Sequence, residues 1–287
     1  MERTQEFQDI LSEAGLNWNV RSETTKTKSG IIIPKQIALV RQDTEKVLGT
    51  HKETYCMYQN DELLELLFQV SRSTGRKLKG GGYFGDGEKV YFQLESESMN
   101  LNGDRIDGSI TGVNSFDGST ALGFGNSNIT ISCRNTFFMA YKTLGTKFRH
   151  SATMRPKIEE VLKQITKLVE EEKQTFKTIE RMANIRMDAA VKQLVTRMMF
   201  DVKEQMTAEE IKELSTRKKN NIIKFDRVVS GELSEKGDNL WGLFSGVTKY
   251  TTHEMKKGDN SENKLFGRTG TIERNIFNKL EESVMFV

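Results

Sequence analysis

Three sets of residues in this chain have the types and spacing that chemistry uses. The first is glycine. Gly80, Gly82 and Gly85 stand in the order G-x-G-x-x-G, which in a dinucleotide site turns a strand into a helix whose amides face a pyrophosphate. Here the strand-like run Lys89-Val-Tyr-Phe-Gln-Leu94 follows instead. No His-Arg-Asp or Asp-Phe-Gly segment of kinase type lies downstream, and there is no Walker loop. These glycines are therefore expected to form a hairpin. The second set is acidic. Asp104, Asp107 and Asp117, with His150, have the types that hold a divalent ion in a nuclease. Each aspartate also stands beside glycine or in a turn, where its carboxylate ordinarily serves the backbone. His51 and His253 lie in no nucleophile-activating context and are read as surface or satisfied residues.

The third set is basic. No acid occurs between Glu65 and Asp86, a window holding Arg72, Arg76, Lys77 and Lys79, and Tyr83, Phe84, Tyr91 and Phe92 stand in and just beyond its end. None occurs between Asp117 and Glu159, where Arg134, Lys142, Lys147, Arg149, Arg155 and Lys157 lie. Cations neutralise phosphates and nearby aromatic faces stack on unpaired bases. Strand alternation sends Tyr91 and Phe92 to opposite faces, so only one of that pair can stack. A further cluster is Arg217, Lys218 and Lys219, continued by Lys224 and Arg227.

The total charge of +3 conceals this, since 43 Lys and Arg nearly balance 40 Asp and Glu. It excludes a uniformly basic, histone-like protein. No apolar run approaches the ~18 residues of a membrane helix, and Met1–Ile10 lacks a signal-peptide core. Cys56 and Cys133 are too few for a structural zinc set, and the chain reads as a protein of a reducing cytosol.

The elements that must position these residues follow from glycine. Sixteen of the 23 glycines precede residue 150, and none lies between Gly145 and Gly231. The expectation is an α+β core over residues 1–150 and a helical region over 151–287. In the core, a helix over 2–14 precedes strands at 18–21, 31–41 and 47–51, then a helix over 61–71. The glycine hairpin returns along 89–94. Strands at 106–116 and 121–134 flank the turn Asp117-Gly118-Ser119, and a short helix spans 135–144. Pro156 opens one long, kinked amphipathic helix to about Gln205. Thr207-Ala-Glu-Glu210 starts another, and further helices lie at 239–253 and 271–287.

A series of short motifs occurs in order along this framework: Leu16-Asn-Trp-Asn-Val-Arg21, Val40-Arg41, Val47-Leu-Gly49, Tyr58-Gln-Asn60, Asn114-Ser-Phe-Asp-Gly-Ser-Thr-Ala-Leu122, Cys133-Arg-Asn-Thr136, Phe148-Arg-His150 and Asn239-Leu-Trp-Gly-Leu-Phe244. With them the chain resembles the phage/plasmid-like family known as domain of unknown function 932. Lys79-Gly-Gly-Gly82 departs from the arginine-rich segment usual there. The resemblance implies a setting in phages, plasmids and prophages, hence the cytoplasm of a bacterial host. The expected core, a curved antiparallel sheet with a hairpin and packed helices, is similar to that of phage single-strand annealing proteins. That likeness implies strand binding in a basic groove and assembly into homo-oligomeric rings or filaments.

The leading expectation is thus a single-stranded DNA-binding protein that promotes annealing in recombination or replication. Arg72, Arg76, Lys77, Lys79, Arg134, Lys147, Arg149 and Lys157 would hold phosphates, and Tyr83 or Phe84 would stack a base. This reading assigns no catalytic residue, cofactor or metal. The alternatives are the metal-dependent nuclease above, and a structural or host-interaction protein that assembles through its long helix.

Overall fold

A computed structural model describes residues 4–101, 104–130, 135–140, 147–162, 166–202, 214–255 and 261–285. Phe7 and Leu11, one helical turn apart, form the buried face of α1 (Gln5–Glu13). Gly15 ends that segment at a left-handed φ of 66°. The strands β1 (Val20–Lys26), β2 (Ile32–Arg41) and β3 (Lys46–Lys52) make an antiparallel meander in that order. Helix α2 (Asn60–Thr74) opens on a capping box formed by Gln59 and Glu62 and closes at Gly75, with φ 70°.

A second sheet follows, built from β4 (Leu78–Phe84), β5 (Lys89–Leu101), β6 (Asp104–Ser115), β7 (Leu122–Thr130), β8 (Asn135–Ala140) and β9 (Lys147–Phe148). These strands are ordered β4-β5-β6-β7-β8, with β9 antiparallel to β7. The remainder is helical: α3 (Met154–Leu162), α4 (Thr166–Asn184), α5 (Ala189–Phe200), α6 (Thr216–Lys236), α7 (Leu240–Lys249), α8 (Ser261–Phe266) and α9 (Arg268–Met285). A π-helical turn, Tyr250–Glu254, extends α7. The architecture is α+β with a helical C-terminal region, as expected.

Two expectations are corrected. Residues 135–140 form a strand where a helix was expected, and 141–146 lie outside the described residues. Thr136, Phe137 and Phe138 have side chains that favour strands, and β7 supplies the pairing partner. The long helix is also interrupted. It stops at Asn184, and Asp188 caps α5 by accepting from the Val191 amide at 2.7 Å. Between them the chain pairs with a distant segment: the Leu240 amide bonds the Ile185 carbonyl at 3.0 Å, and the Met187 amide bonds that of Asp238 at 3.2 Å. The capping-box segment at 207–210 lies outside the described residues.

The chain divides into two compact units. One comprises Met1–Glu97, Gly108–Ser127 and Met139–Glu171; the other comprises Ser98–Asp107, Asn128–Phe138 and Glu172–Val287. In the first, Leu63, Leu64, Leu67 and Val70 of α2 join Val90, Phe92, Leu94, Ile110, Phe116 and Phe124 in one buried cluster. In the second, Phe225, Val229, Phe244, Val247 and Phe277 are fully buried. Gly246 allows α6 and α7 to approach closely, since a Cβ there would stand 2.8 Å from the Val229 Cα.

Candidate nucleic-acid interface

Of the residues that looked capable of catalysis, Asp117 and His150 are structural members of the first unit, whereas Asp104 and Asp107 belong to the second. Asn60 donates to the Leu16 and Trp18 carbonyls at 3.3 and 3.1 Å. The Gln59 side chain pairs with both backbone groups of Val20, at 3.0 and 2.7 Å. Asn114 donates to the Tyr58 carbonyl at 2.8 Å, and Trp18 packs on Phe116 at 5.9 Å between ring centroids. Gly49 lies against this turn, because a Cβ there would stand 2.9 Å from the Asp117 Cα. His51, Tyr55 and His150 stack in sequence at 3.9 and 4.7 Å. His51 Nε2 donates to the Phe116 carbonyl at 2.7 Å, and the Tyr55 hydroxyl to that of Ser115 at 2.9 Å. Burial pushes the Tyr55 hydroxyl pKa up, and the Asp117 charge adds to it.

Asp117 serves its turn. Its carboxylate accepts from the Ser119 amide at 2.8 Å and faces Lys89 at 3.5 Å. Burial works to raise this carboxyl, but the Ser119 hydrogen bonds and the Lys89 charge hold it below its ordinary value. Asp107, in the second unit, is bonded to Ser98 and Arg105, each at 2.7 Å. Among the described residues, no group of three His, Cys, Asp or Glu side chains is placed to hold a metal.

The cations are arranged differently. Arg72 ends α2, exposed, and Arg76 bonds Ser96 through its guanidinium. With Lys77 they line a cleft of about 740 Å³ whose other wall, α1, carries Glu6, Asp9 and Glu13. Lys79 lies beyond it, exposed, where β4 leaves Gly80 and Gly81 beside Ala14. Of the second window, Arg134 lies outside the described residues and Lys147 is described by its backbone alone, paired with Gly123. Arg149 and Lys157 are exposed, whereas Arg155 is paired with Glu62 over the Tyr58 ring. That pairing puts the end of the second window at the first turn of α2, roughly 15 Å from Arg72 along the helix. A hollow of about 300 Å³ between α2 and α3 carries Asp61, Glu62, Glu65 and Glu159. Lys157 lies on the flank of α3 away from it by helical spacing. The two windows therefore form separate patches, not one continuous strip along α2.

The aromatic residues are partly engaged. The Arg41 guanidinium lies 4.2 Å from the Trp18 ring centroid and 5.0 Å from that of Tyr83. Arg41 is fixed by Asp43 at 2.7 Å and by the Asp86 carbonyl at 2.8 Å. Tyr83 retains 40% exposure, while Phe84, on the other sheet face, stacks on Tyr91 at 5.6 Å.

The family model for a domain of unknown function, DUF932, matches residues 47–276, about four fifths of the chain. The chain belongs to the DUF932 family. No curated protein and no solved structure matches it. Several of the motifs that carry the family resemblance are the contacts that tie β1, α2 and the Asn114–Leu122 segment together. In the second unit, Asn239 likewise caps α7 by accepting from the Gly242 amide at 2.8 Å. These DUF932 motifs spell the scaffold.

A third acid-free run of this DUF932 chain, residues 24–42, exposes Lys26, Lys28 and Lys35. The signal was the one used for the other windows, but no aromatic residue drew attention to it. His150 has a structural role that its sequence context does not signal. Its Nδ1 donates to the Cys56 carbonyl at 3.1 Å, and its Nε2 is buried with no partner among the described residues. Burial depresses its pKa below 6.5, and the charge on His51 would lower it further, against the Cys56 hydrogen bond. The unfolded chain therefore binds this proton first, so stability present at neutral pH declines as pH falls below 6.5. Urea titrations at neutral and mildly acidic pH should show that decline, and His150→Phe should flatten it.

Proposed function

We propose that this DUF932 protein binds single-stranded DNA and promotes annealing for a phage or other mobile element, in the cytoplasm of a bacterial host. One contrast carries the reading. Lys77, Lys79, Arg149 and Lys157 are exposed and form no ion pair among the described residues, whereas Asp107, Asp117, His51, Tyr55 and His150 are all bonded into the scaffold. Uncommitted cations suit phosphate binding, and annealing requires no chemical step. Tyr83 is the base-stacking residue best supported by exposure. Assembly into a ring or filament belongs to the same proposal. Among the described residues no helix is long and apolar enough to cross a membrane.

Photocrosslinking a thiothymidine-substituted single strand, followed by peptide mapping, tests the reading. Adducts are expected on peptides carrying Lys77–Tyr83 or Arg149–Lys157. Adducts confined to the second unit, or divalent-metal-dependent cleavage lost in Asp117→Ala, would contradict it.

A further inference from the structure

The β1–β2 hairpin combines features that the scaffold does not require. Val20 and Leu39 are buried at its base, yet Ser22–Thr24 and Lys26–Ile32 are exposed. Six residues separate Val20 from Lys26, so the hairpin extends roughly 20 Å beyond its base. At its end Ile31 and Ile32 are 66% and 58% exposed, among the most exposed large apolar residues described. Water disfavours such exposure of aliphatic side chains relative to burial.

The tip is held stiffly. The Thr27 amide bonds the Ile31 carbonyl at 2.8 Å, the Gly30 amide bonds that of Thr27 at 2.9 Å, and Thr27 Oγ1 accepts from the Ile31 amide at 3.1 Å. Gly30 supplies the left-handed φ of 84° that this turn needs. Around the isoleucines stand Lys26, Lys28 and Lys35, all exposed and without an ion pair among the described residues. Lys35 has a φ of 59°, which a side chain rarely adopts, and its carbonyl accepts from the Glu53 amide at 3.1 Å. Strained backbone of this kind persists where the surrounding structure holds it.

Three occupants suit a cationic, aliphatic tip: another copy of the chain added as a strand, an anionic lipid surface, or nucleic acid. Strand addition is disfavoured by the register shift between Thr24 and Lys26 and by the lysines along the outer half, devices that blunt edge pairing. Two isoleucines are little apolar area for a membrane anchor. The tip also offers Thr24, Thr27, Ser29 and Gln36, the hydroxyls and amide that bond phosphates. Aliphatic side chains flanked by cations are the wedges that slip between neighbouring bases.

We infer that this hairpin is a second nucleic-acid contact, in which Lys26, Lys28 and Lys35 hold phosphates while Ile31 and Ile32 part stacked bases. The inference rests on the single-strand reading above and extends it from holding a strand to unstacking it. Bases kept apart on one strand are presented for pairing with another.

A single strand carrying 2-aminopurine, whose fluorescence rises on unstacking, tests it with the full chain. The wild-type protein should bind and raise the fluorescence. Ile31→Ser/Ile32→Ser should bind within about threefold of wild type, yet lose most of that rise. Lys26→Glu/Lys28→Glu/Lys35→Glu should flatten the dependence of log affinity on log salt by about 2, at 0.7 for each lost contact. A full fluorescence rise in the serine variant, or an unchanged slope in the glutamate variant, overturns the hairpin assignment alone. No binding by wild type overturns the single-strand reading and this inference together. If the glutamate variant binds the strand normally but no longer binds phosphatidylserine–phosphatidylcholine vesicles that wild type binds, the occupant is lipid and the inference fails.

Discussion

Lys264→Met is expected to destabilise the second unit by about 3–5 kcal/mol. The Lys264 ammonium lies 2.8 Å from Glu273 Oε1, with the two side chains 2% and 0% exposed. Thr251 also donates to that carboxylate through its hydroxyl. Removing the ammonium leaves a negative charge enclosed by protein, and that desolvation accounts for most of the expected loss. The Glu273 carboxyl is already pushed up by burial, with Lys264 opposing the shift. Without Lys264 it rises further, so the folded variant takes up a proton more readily than the unfolded chain. The defect should therefore be largest at neutral pH and shrink as pH falls toward the ordinary carboxyl value of 4.5. Lys264→Met/Glu273→Leu removes both charges and should recover most of the loss. Urea unfolding of the three proteins across pH reads each of these outcomes. A single variant as stable as wild type at neutral pH would show that the pair is not enclosed.

The second large effect concerns binding. Lys77→Glu/Lys79→Glu is expected to weaken single-strand affinity roughly 10- to 100-fold near 0.1 M salt, through lost and reversed phosphate contacts. Both side chains are exposed and neither is ion-paired among the described residues, so folding should be unaffected. Circular dichroism and unfolding midpoints matching wild type would separate an interface effect from damage to the fold.

Where the signal was local, the sequence was legible. The Leu63–Val70 spacing marks α2, the glycine run and Asp86-Gly87 bracket the β4–β5 hairpin, and Asp117-Gly118-Ser119 makes the turn between β6 and β7. The misreadings arose where distant segments decide. The pairing that makes residues 135–140 a strand comes from β7, and the break after Asn184 is held by backbone bonds to Asp238 and Leu240. The buried Lys264–Glu273 pair was equally illegible, because composition reads charged residues as surface.

At the candidate site, charge patterning located exposed cations, but it did not reveal which carboxylates stand opposite them. Glu6, Asp9 and Glu13 reach the first window from α1, and Glu62 takes Arg155 from the second. Sequence distance hid both relations. The family motifs were legible as motifs, yet their meaning lies in the fold: Asn60, Gln59 and Asn114 bond backbone groups of neighbouring elements.

The most direct test of the single-strand reading is the affinity of the wild-type protein for a labelled single strand measured across salt concentration. Binding should be readily detected near 50 mM salt, and log affinity should fall linearly with log salt at about 0.7 per phosphate contact. In Lys77→Glu/Lys79→Glu the slope should be shallower by about 1.4. Absence of binding near 50 mM salt, or binding indifferent to salt, would contradict the account.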